Sequence, residues 1–517
     1  MQQQSKQAWD VIVVGSGAGG MGAAAALSRL GRRVLLLEKH YVAGGLTHEF
    51  ERGGYRWDVG VHYLGEMQPG GQMRRLLDWL TDAPPAFAEM PEGYDNVRLP
   101  DGFAFTIRHP EQVFFDDLEA RFPAERAGIA GYRAAIKAAG KAAVSLFTSR
   151  SLPGPVGAAI RLLKRDAIRR WVGRTTAEVI DEFTSDPQLA AVLAAQWGDY
   201  GGIPSESSFA MHALVVMSYW HGAYYPEGGA ANIAPAFIAA IERAGGQVRT
   251  SAGVSGIRIE QGRVAGVTLE SGERIDAPRV ISAIGAGETV RYLLPESVKH
   301  QDWAQAILQL RPNIAHFCLY LGWKAGEGES AEALGARASN DWWYDALDVG
   351  DGIWRDPFEQ PAPPMMFVSF PTMKDPSHRG PLHTAEAAVW ADWDLMAAWA
   401  ESTCGQRDPD YRALKDSMKA ALLEAFALRY PEIARRVEVV EFSTPLSTVS
   451  FTSHERGAFY GLEATPRRML SPALSPRTPV KGLLLAGQDV CTPGVQGALL
   501  GGLFAAGCIH PGVFARL

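Results

Sequence analysis

Residues whose types and spacing could do chemistry stand in three groups. In the first, Gly15, Gly17 and Gly20, with Ser16, Ala18 and Gly19 between them, follow the β-branched run Val11 to Val14 and open the alanine-rich run Ala23 to Leu27. That order suits a pyrophosphate: Gly15 permits a sharp turn, Gly17 lets phosphate approach the backbone, and Gly20 lets a helix pack against the strand. The phosphates then meet the unpaired N–H groups of a helix N-terminus. Glu38, next to Lys39 and eighteen residues after Gly20, ends the apolar run Val34 to Leu37. A carboxylate there accepts from adenosine ribose hydroxyls and repels a 2′-phosphate, so the site suits FAD or NAD and NADP poorly. The second group repeats strand, glycine, acid and helix near the other end, with Gly487 and Asp489 before a helix opening at Pro493, Gly494, Val495 and Gln496. The third is the glycine-punctuated stretch Gly60 to Met67, whose His62, Tyr63 and Glu66 can carry protons.

The elements that position these groups are legible in part. Strand, tight turn and helix at residues 11–27 form the start of a βαβ unit, which sets the fold class as α/β of Rossmann type. A helix is expected from about Asn232 to Arg243, then alternating runs at Val254 to Ile259, Arg263 to Leu269 and Glu273 to Ile275, separated by Gln261-Gly262 and Ser271-Gly272. These read as a β-meander, after which Arg279 to Ile284 returns to the main sheet. Gly285 and Gly287 lack a third glycine, which argues against a second dinucleotide site. Residues 70–200 show less clear periodicity. Ser207 to Pro226 carries no Asp, Glu, Lys or Arg, and its histidines and tyrosines make it too polar to face lipid, so it reads as a buried helix lining an apolar tunnel. Residues 300–440 are rich in aromatics, with a proline-marked surface loop at Pro357, Pro361, Pro363 and Pro364 and an amphipathic helix from Asp408 to Leu428.

The chain is long enough for two or three domains, and its net charge of −7 supplies no basic field to attract nucleic acid. Cys318, Cys404, Cys491 and Cys508 are scattered, without Cys-x-x-Cys or zinc-like spacing, so they read as reduced cysteines and no metal is expected. Met1 to Trp9 is polar and runs straight into the first strand, which predicts a cytoplasmic protein. Within residues 137–174, Lys137, Arg161, Lys164, Arg165, Arg169 and Arg170 alternate with Val144, Phe147, Leu162, Leu163 and Trp171. Such a basic amphipathic segment fits peripheral contact with the inner face of a membrane, or a solvated helical face over the core.

Gly44-Gly45, Phe50, Gly54, Asp58 to Tyr63 and Gly65-Glu66-Met67 closely resemble the retinol saturase branch of the phytoene desaturase and carotenoid isomerase superfamily of flavoproteins. The resemblance covers nearly the whole chain. It implies a glutathione reductase or amine oxidase-like FAD-binding domain in three parts, residues 1–69, 226–299 and 441–517, with an inserted mixed α+β substrate domain from 70–225 and 300–440. It implies that Gly44, Gly45, Leu46 and Thr47 lie against the flavin side of FAD and that the stretch holding Val61 and His62 passes near the isoalloxazine ring. By the same resemblance the backbone of Val254 holds the adenine and Asp489 binds ribityl or phosphate-proximal hydroxyls. Val495 and Gln496 then open a helix pointing at the flavin pyrimidine edge. No covalent-flavin context surrounds Cys491, so the FAD is non-covalent, although Cys491 could face it.

The expected activity is that of an FAD-dependent oxidoreductase on carbon–carbon double bonds of a lipophilic, conjugated substrate. In a reductase, hydride comes from flavin N5 and a protein acid supplies the proton. His62 is the first candidate for that acid, with Tyr63 and Glu66 behind it, though His62 could instead only position its loop. Desaturation and cis-trans isomerisation use the same flavin and stay open. An amine oxidase is permitted by the FAD motifs alone, and a lipid-binding escort module without redox chemistry is the contrasting class. With one dinucleotide site, electrons must come from or go to an external partner.

Overall fold

The computed structural model of this protein describes residues 9–358 and 363–517; Met1 to Ala8 and Pro361 of the proline-marked loop lie outside the described residues. Five strands form a wholly parallel sheet, in the order Gln247–Arg249, Val34–Leu37, Val11–Val14, Val280–Ser282 and Leu483–Leu485. The four-residue apolar runs are buried at every position because both faces are covered. Side chains alternate between two cores. Val11, Val13, Val34 and Leu36 pack with the helices Ala18–Arg29, Ile233–Arg243 and Gly494–Ile509, whereas Ile12, Val14, Leu35 and Leu37 pack under the meander. That meander is the antiparallel set Val254–Glu260, Arg263–Leu269 and Arg274–Asp276.

The opening helix Ala18–Arg29 and the C-terminal helix Gly494–Ile509 touch backbone to backbone. A Cβ on Gly502 would lie 2.0 Å from the Gly19 carbonyl oxygen, so only glycine admits this approach. The contact brings the first turns of both helices, Ala18 and Gly494, to the wall of one cleft.

A second sheet has seven strands, in the order Val437–Ser443, Ala315–Lys324, Leu382–Ala391, Met365–Ser369, Asn340–Tyr344, Gly93–Arg98 and Ala104–Arg108. Its strands come from both halves of the expected substrate region, and Val437–Ser443 runs across the expected boundary at residue 440. One face packs on the helix Pro409–Arg429, the other on a helical layer that includes Arg126–Ser151 and Phe209–Ser218. The 26-residue helix Arg126–Ser151 sits where periodicity was weak, because its many Ala and Gly residues blur the apolar stripe. The uncharged stretch from Ser207 is also divided. Its helix ends at Ser218, Gly222 turns the chain at φ 104°, and Ala223–Pro226 becomes a strand paired with Leu64–Gly65 and Phe87–Glu89. Among the described residues no helix is long and apolar enough to cross a membrane.

Candidate active site

A cleft of about 1100 Å³ runs along the carboxyl ends of the parallel strands, where open α/β sheets bind ligands. Gly15 through Gly19 form its floor, and Glu38 and Lys39 stand at one end beside Ala252 and Val254. Ser16 donates to Glu38 Oε2 through its backbone N–H at 2.9 Å and its hydroxyl at 2.7 Å, and the His40 N–H donates to Oε1 at 2.8 Å. The carboxylate is thereby held facing the cleft. Gly17 has an ordinary φ of −61°, yet a Cβ there would have no atom within 4 Å and would project into open space. Gly44, Gly45, Leu46 and Thr47 continue the wall, with the Gly44 N–H donating to the Ser16 hydroxyl at 3.0 Å. At the far end stand Gly60, His316, Phe459, Tyr460, Gly487, Gly494 and Val495. A carboxylate at one end, a bare glycine turn and two helix N-termini along one elongated cleft fit FAD. When bound, FAD supplies two-electron chemistry at its ring.

Five expected cofactor contacts lie outside the wall of this cleft. Gly20 is buried beneath the turn, where a Cβ would meet the Gly15 carbonyl oxygen at 1.8 Å, so its part is packing. Asp489 is also buried and outside the cleft wall. Its two oxygens accept backbone N–H bonds from Ala286 at 2.6 Å and Leu462 at 3.0 Å, so the carboxylate ties two loops together. Val61 and Gln496 face a second cavity, as does His62.

That cavity, about 480 Å³, adjoins the far end of the cleft, and Gly60, Tyr460, Gly494 and Val495 line both. Phe147, Leu152, Leu214, Val215, Leu500 and Phe504 make much of its wall apolar. The expected tunnel helix does line it, through Leu214, Val215 and Ser218. Cys491 also faces it, but burial pushes its thiol up to about 11, which leaves it unreactive. A polar cluster closes one side. The Tyr63 hydroxyl lies 3.0 Å from Asp95 Oδ2 and 2.9 Å from Asp199 Oδ2, and Asp199 and Tyr63 both line the cavity. Asp95 also accepts from the amides of Gln196 at 3.0 Å and Asn340 at 2.9 Å. Burial raises both carboxyls, and at Asp199 it holds the group well above the usual carboxylate range, with the like charge of Asp95 adding to it.

His62 is half-buried, with Nδ1 2.9 Å from Glu386 Oε2 but not aligned for a hydrogen bond. Burial, reinforced by the Lys374 ammonium, lowers its pKa to about 3, so the ring is neutral and poorly suited to donate a proton at neutral pH. Burial likewise pushes Glu386 up to about 8 and Lys374 down to about 8. Lys374 donates to the His62 carbonyl at 2.9 Å, to Ser369 Oγ at 2.8 Å and to Asn340 Oδ1. It fixes the loop that carries His62 and Tyr63. Glu66 lines neither cavity; it accepts from the Gln72 N–H at 3.2 Å at the start of the helix Gln72–Leu80, beside His221. Its local capping role explains why it does not reach the chemistry.

Asp95, Asp199, Lys374 and Glu386 escaped the sequence reading. Glu386 left one signal, a lone acid within the otherwise apolar run Ala385 to Ala391; the others are isolated charges without a motif.

This fold and cleft define an FAD-dependent oxidoreductase, and residues 18–510 match the family described as flavin containing amine oxidoreductase. The chain belongs to that family. Among curated proteins it is 33% identical to the all-trans-retinol 13,14-reductase of Danio rerio, over 96% of this chain and 84% of that protein. It is 24% identical to the chloroplastic prolycopene isomerase of Arabidopsis thaliana, over 97% of this chain and 82% of that protein. Among solved structures, putrescine oxidase bound to putrescine shares the fold at 17% identity and TM-score 0.63, covering 97% of this chain and 98% of that one.

Proposed function

We propose that this oxidoreductase saturates a carbon–carbon double bond of a lipophilic, conjugated molecule of the retinoid or carotenoid kind. The observation that carries this is the apolar cavity joined to the cofactor cleft at Gly60, Tyr460, Gly494 and Val495, so that a ligand in it lies against the cofactor's reactive end. Likeness to retinol 13,14-reductases supports reduction, and the more distant likeness to prolycopene isomerases keeps isomerisation as the second reading. Gly15 to Gly19, Glu38, Gly44 to Thr47 and Val254 hold the dinucleotide; Val495 and Gln496 open the helix beside the ring. The cavity excludes water and aligns the polyene. Electrons come from a diffusible donor or a partner flavoprotein.

The protein also touches a membrane from its cytoplasmic side. The helix Gly154–Leu163 is exposed along most of its length, with Leu162 and Leu163 at 70% and 82% exposure and Lys164, Arg165, Arg169 and Arg170 following. Val144, on the adjacent helix, is exposed and lines the cavity as well, so a lipid-dissolved substrate enters beside this patch.

The test is anaerobic. Chemically reduced holoenzyme is mixed with retinol, a carotenoid or a polyunsaturated lipid while the visible spectrum is followed. Reoxidation of the flavin with loss of polyene absorbance is expected for retinol or the carotenoid. Isomerised substrate with the flavin still reduced moves the assignment to the isomerase, and no change with any polyene overturns both readings.

A further inference from the structure

The Tyr63 hydroxyl has one proton but stands within hydrogen-bond distance of two carboxyl groups, Asp95 at 3.0 Å and Asp199 at 2.9 Å. It can donate to only one of them, so the other contact requires a carboxylic acid donating to the phenol oxygen. The surroundings decide which carboxyl holds that proton. Asp95 is fully buried and accepts amide N–H bonds from Gln196 and Asn340, which stabilise it as a carboxylate. Asp199 ends the short turn Ala195–Asp199 and, among the described residues, receives no such amide bond. It faces Tyr63 and the apolar cavity, whose wall also holds Tyr219 and Tyr460.

From this arrangement we propose that Asp199 is the catalytic acid of the cavity, giving its proton to the alkene carbon that does not receive hydride, and that Tyr63 and Asp95 orient and recharge it. Tyr63 and Asp95 are positioning residues in this scheme. The assignment rests on the double-bond reading above. During saturation one alkene carbon takes hydride from the reduced cofactor, whose two electrons the external donor supplied. The π pair forms the second C–H bond with the Asp199 proton. The O–H pair stays on Asp199 as carboxylate, which regains a proton along Tyr63, or from water that enters the cavity once the product has left. The cluster's remaining charge is the Lys374 ammonium, bonded to Asn340, which in turn donates to Asp95. It favours the carboxylate formed on Asp199 once the proton has left.

The experiment compares wild-type holoenzyme with D199N, an isosteric change that keeps a group capable of bonding Tyr63. The expected result is saturation slowed at least about 100-fold, the contribution typical of a positioned general acid, with flavin content, flavin spectrum and retinol binding unchanged. Independently of turnover, the infrared difference between wild type and D199N at neutral pH should show one protonated carboxylic C=O band belonging to Asp199. D199N saturating within about threefold of wild type, or an ionised Asp199 in the difference spectrum, overturns the assignment. Wild type that saturates none of the polyenes marks failure of the double-bond reading instead, and removes the acceptor on which the assignment rests.

Discussion

Gly17 shows how a residue's chemistry can lie in what it omits. Its backbone conformation, with φ −61°, is open to any residue, so the absence of a side chain serves the cleft and not the turn. Gly17→Val is therefore expected to change thermal stability of the cofactor-free protein by no more than about 0.5 kcal/mol. The same change should abolish flavin retention through purification, measured as the ratio of flavin to protein absorbance; a variant that stays fully yellow refutes the role. At Asp489, Glu66 and His62 the surroundings of the side chain matter as much as its type. Backbone amides engage the first, a helix start engages the second, and burial neutralises the third. Each side chain has chemistry suited to the site, and its surroundings set how far that chemistry is free to act.

At the scale of elements, the helix Gly154–Leu163 contradicts the usual pattern of a soluble domain. Its apolar residues point outward, and Gly157, its buried residue, rests on Ser149 of the neighbouring helix, where a Cβ would meet the carbonyl oxygen at 2.0 Å. The membrane contact proposed above would account for this inversion, with apolar side chains entering the acyl boundary and the following arginines meeting anionic headgroups. Wild type is expected to float with vesicles of phosphatidylcholine and phosphatidylserine at low salt, and the double variant L162E and L163E to remain in the soluble fraction with its flavin intact. Equal flotation of the two would rule out this helix as the contact. The basic amphipathic composition was legible in the sequence, but its outward face was not, since helical periodicity does not say which stripe meets the core.

At the scale of the whole molecule, the seven-stranded sheet sets a row of polar residues across four neighbouring strands. Ser369 pairs with Glu386 and Asn340 with Asp95, and Lys374 reaches this row to bind both Ser369 and Asn340. Burying these groups makes stability depend on pH. Glu386 titrates near 4.5 in an unfolded chain and at about 8 here, facing Lys374 and the neutral His62 with Asp58 nearby. Between those values the folded protein keeps a proton that the unfolded chain has released, so the contribution of Glu386 to stability falls as pH rises from 4.5 to 8. Relative to wild type, E386Q should gain melting temperature as pH rises from 4.5 to 8, and an unchanged difference between the two would show that Glu386 is ionised in the folded protein.

The sequence by itself determined the parallel βαβ framework, the phosphate turn, Glu38, the β-meander and the glycine-marked loop to Gly65, because those depend on interactions between residues close along the chain or on a period that repeats locally. It did not determine that Asp95, Asp199 and Tyr63 would meet, since they lie 32 and 136 residues apart from one another through Tyr63. Only the tertiary structure decided that, by closing one sheet from both halves of the chain around a cavity. Proton chemistry depends on burial and on distances of a few ångströms, and neither is set until distant segments pack.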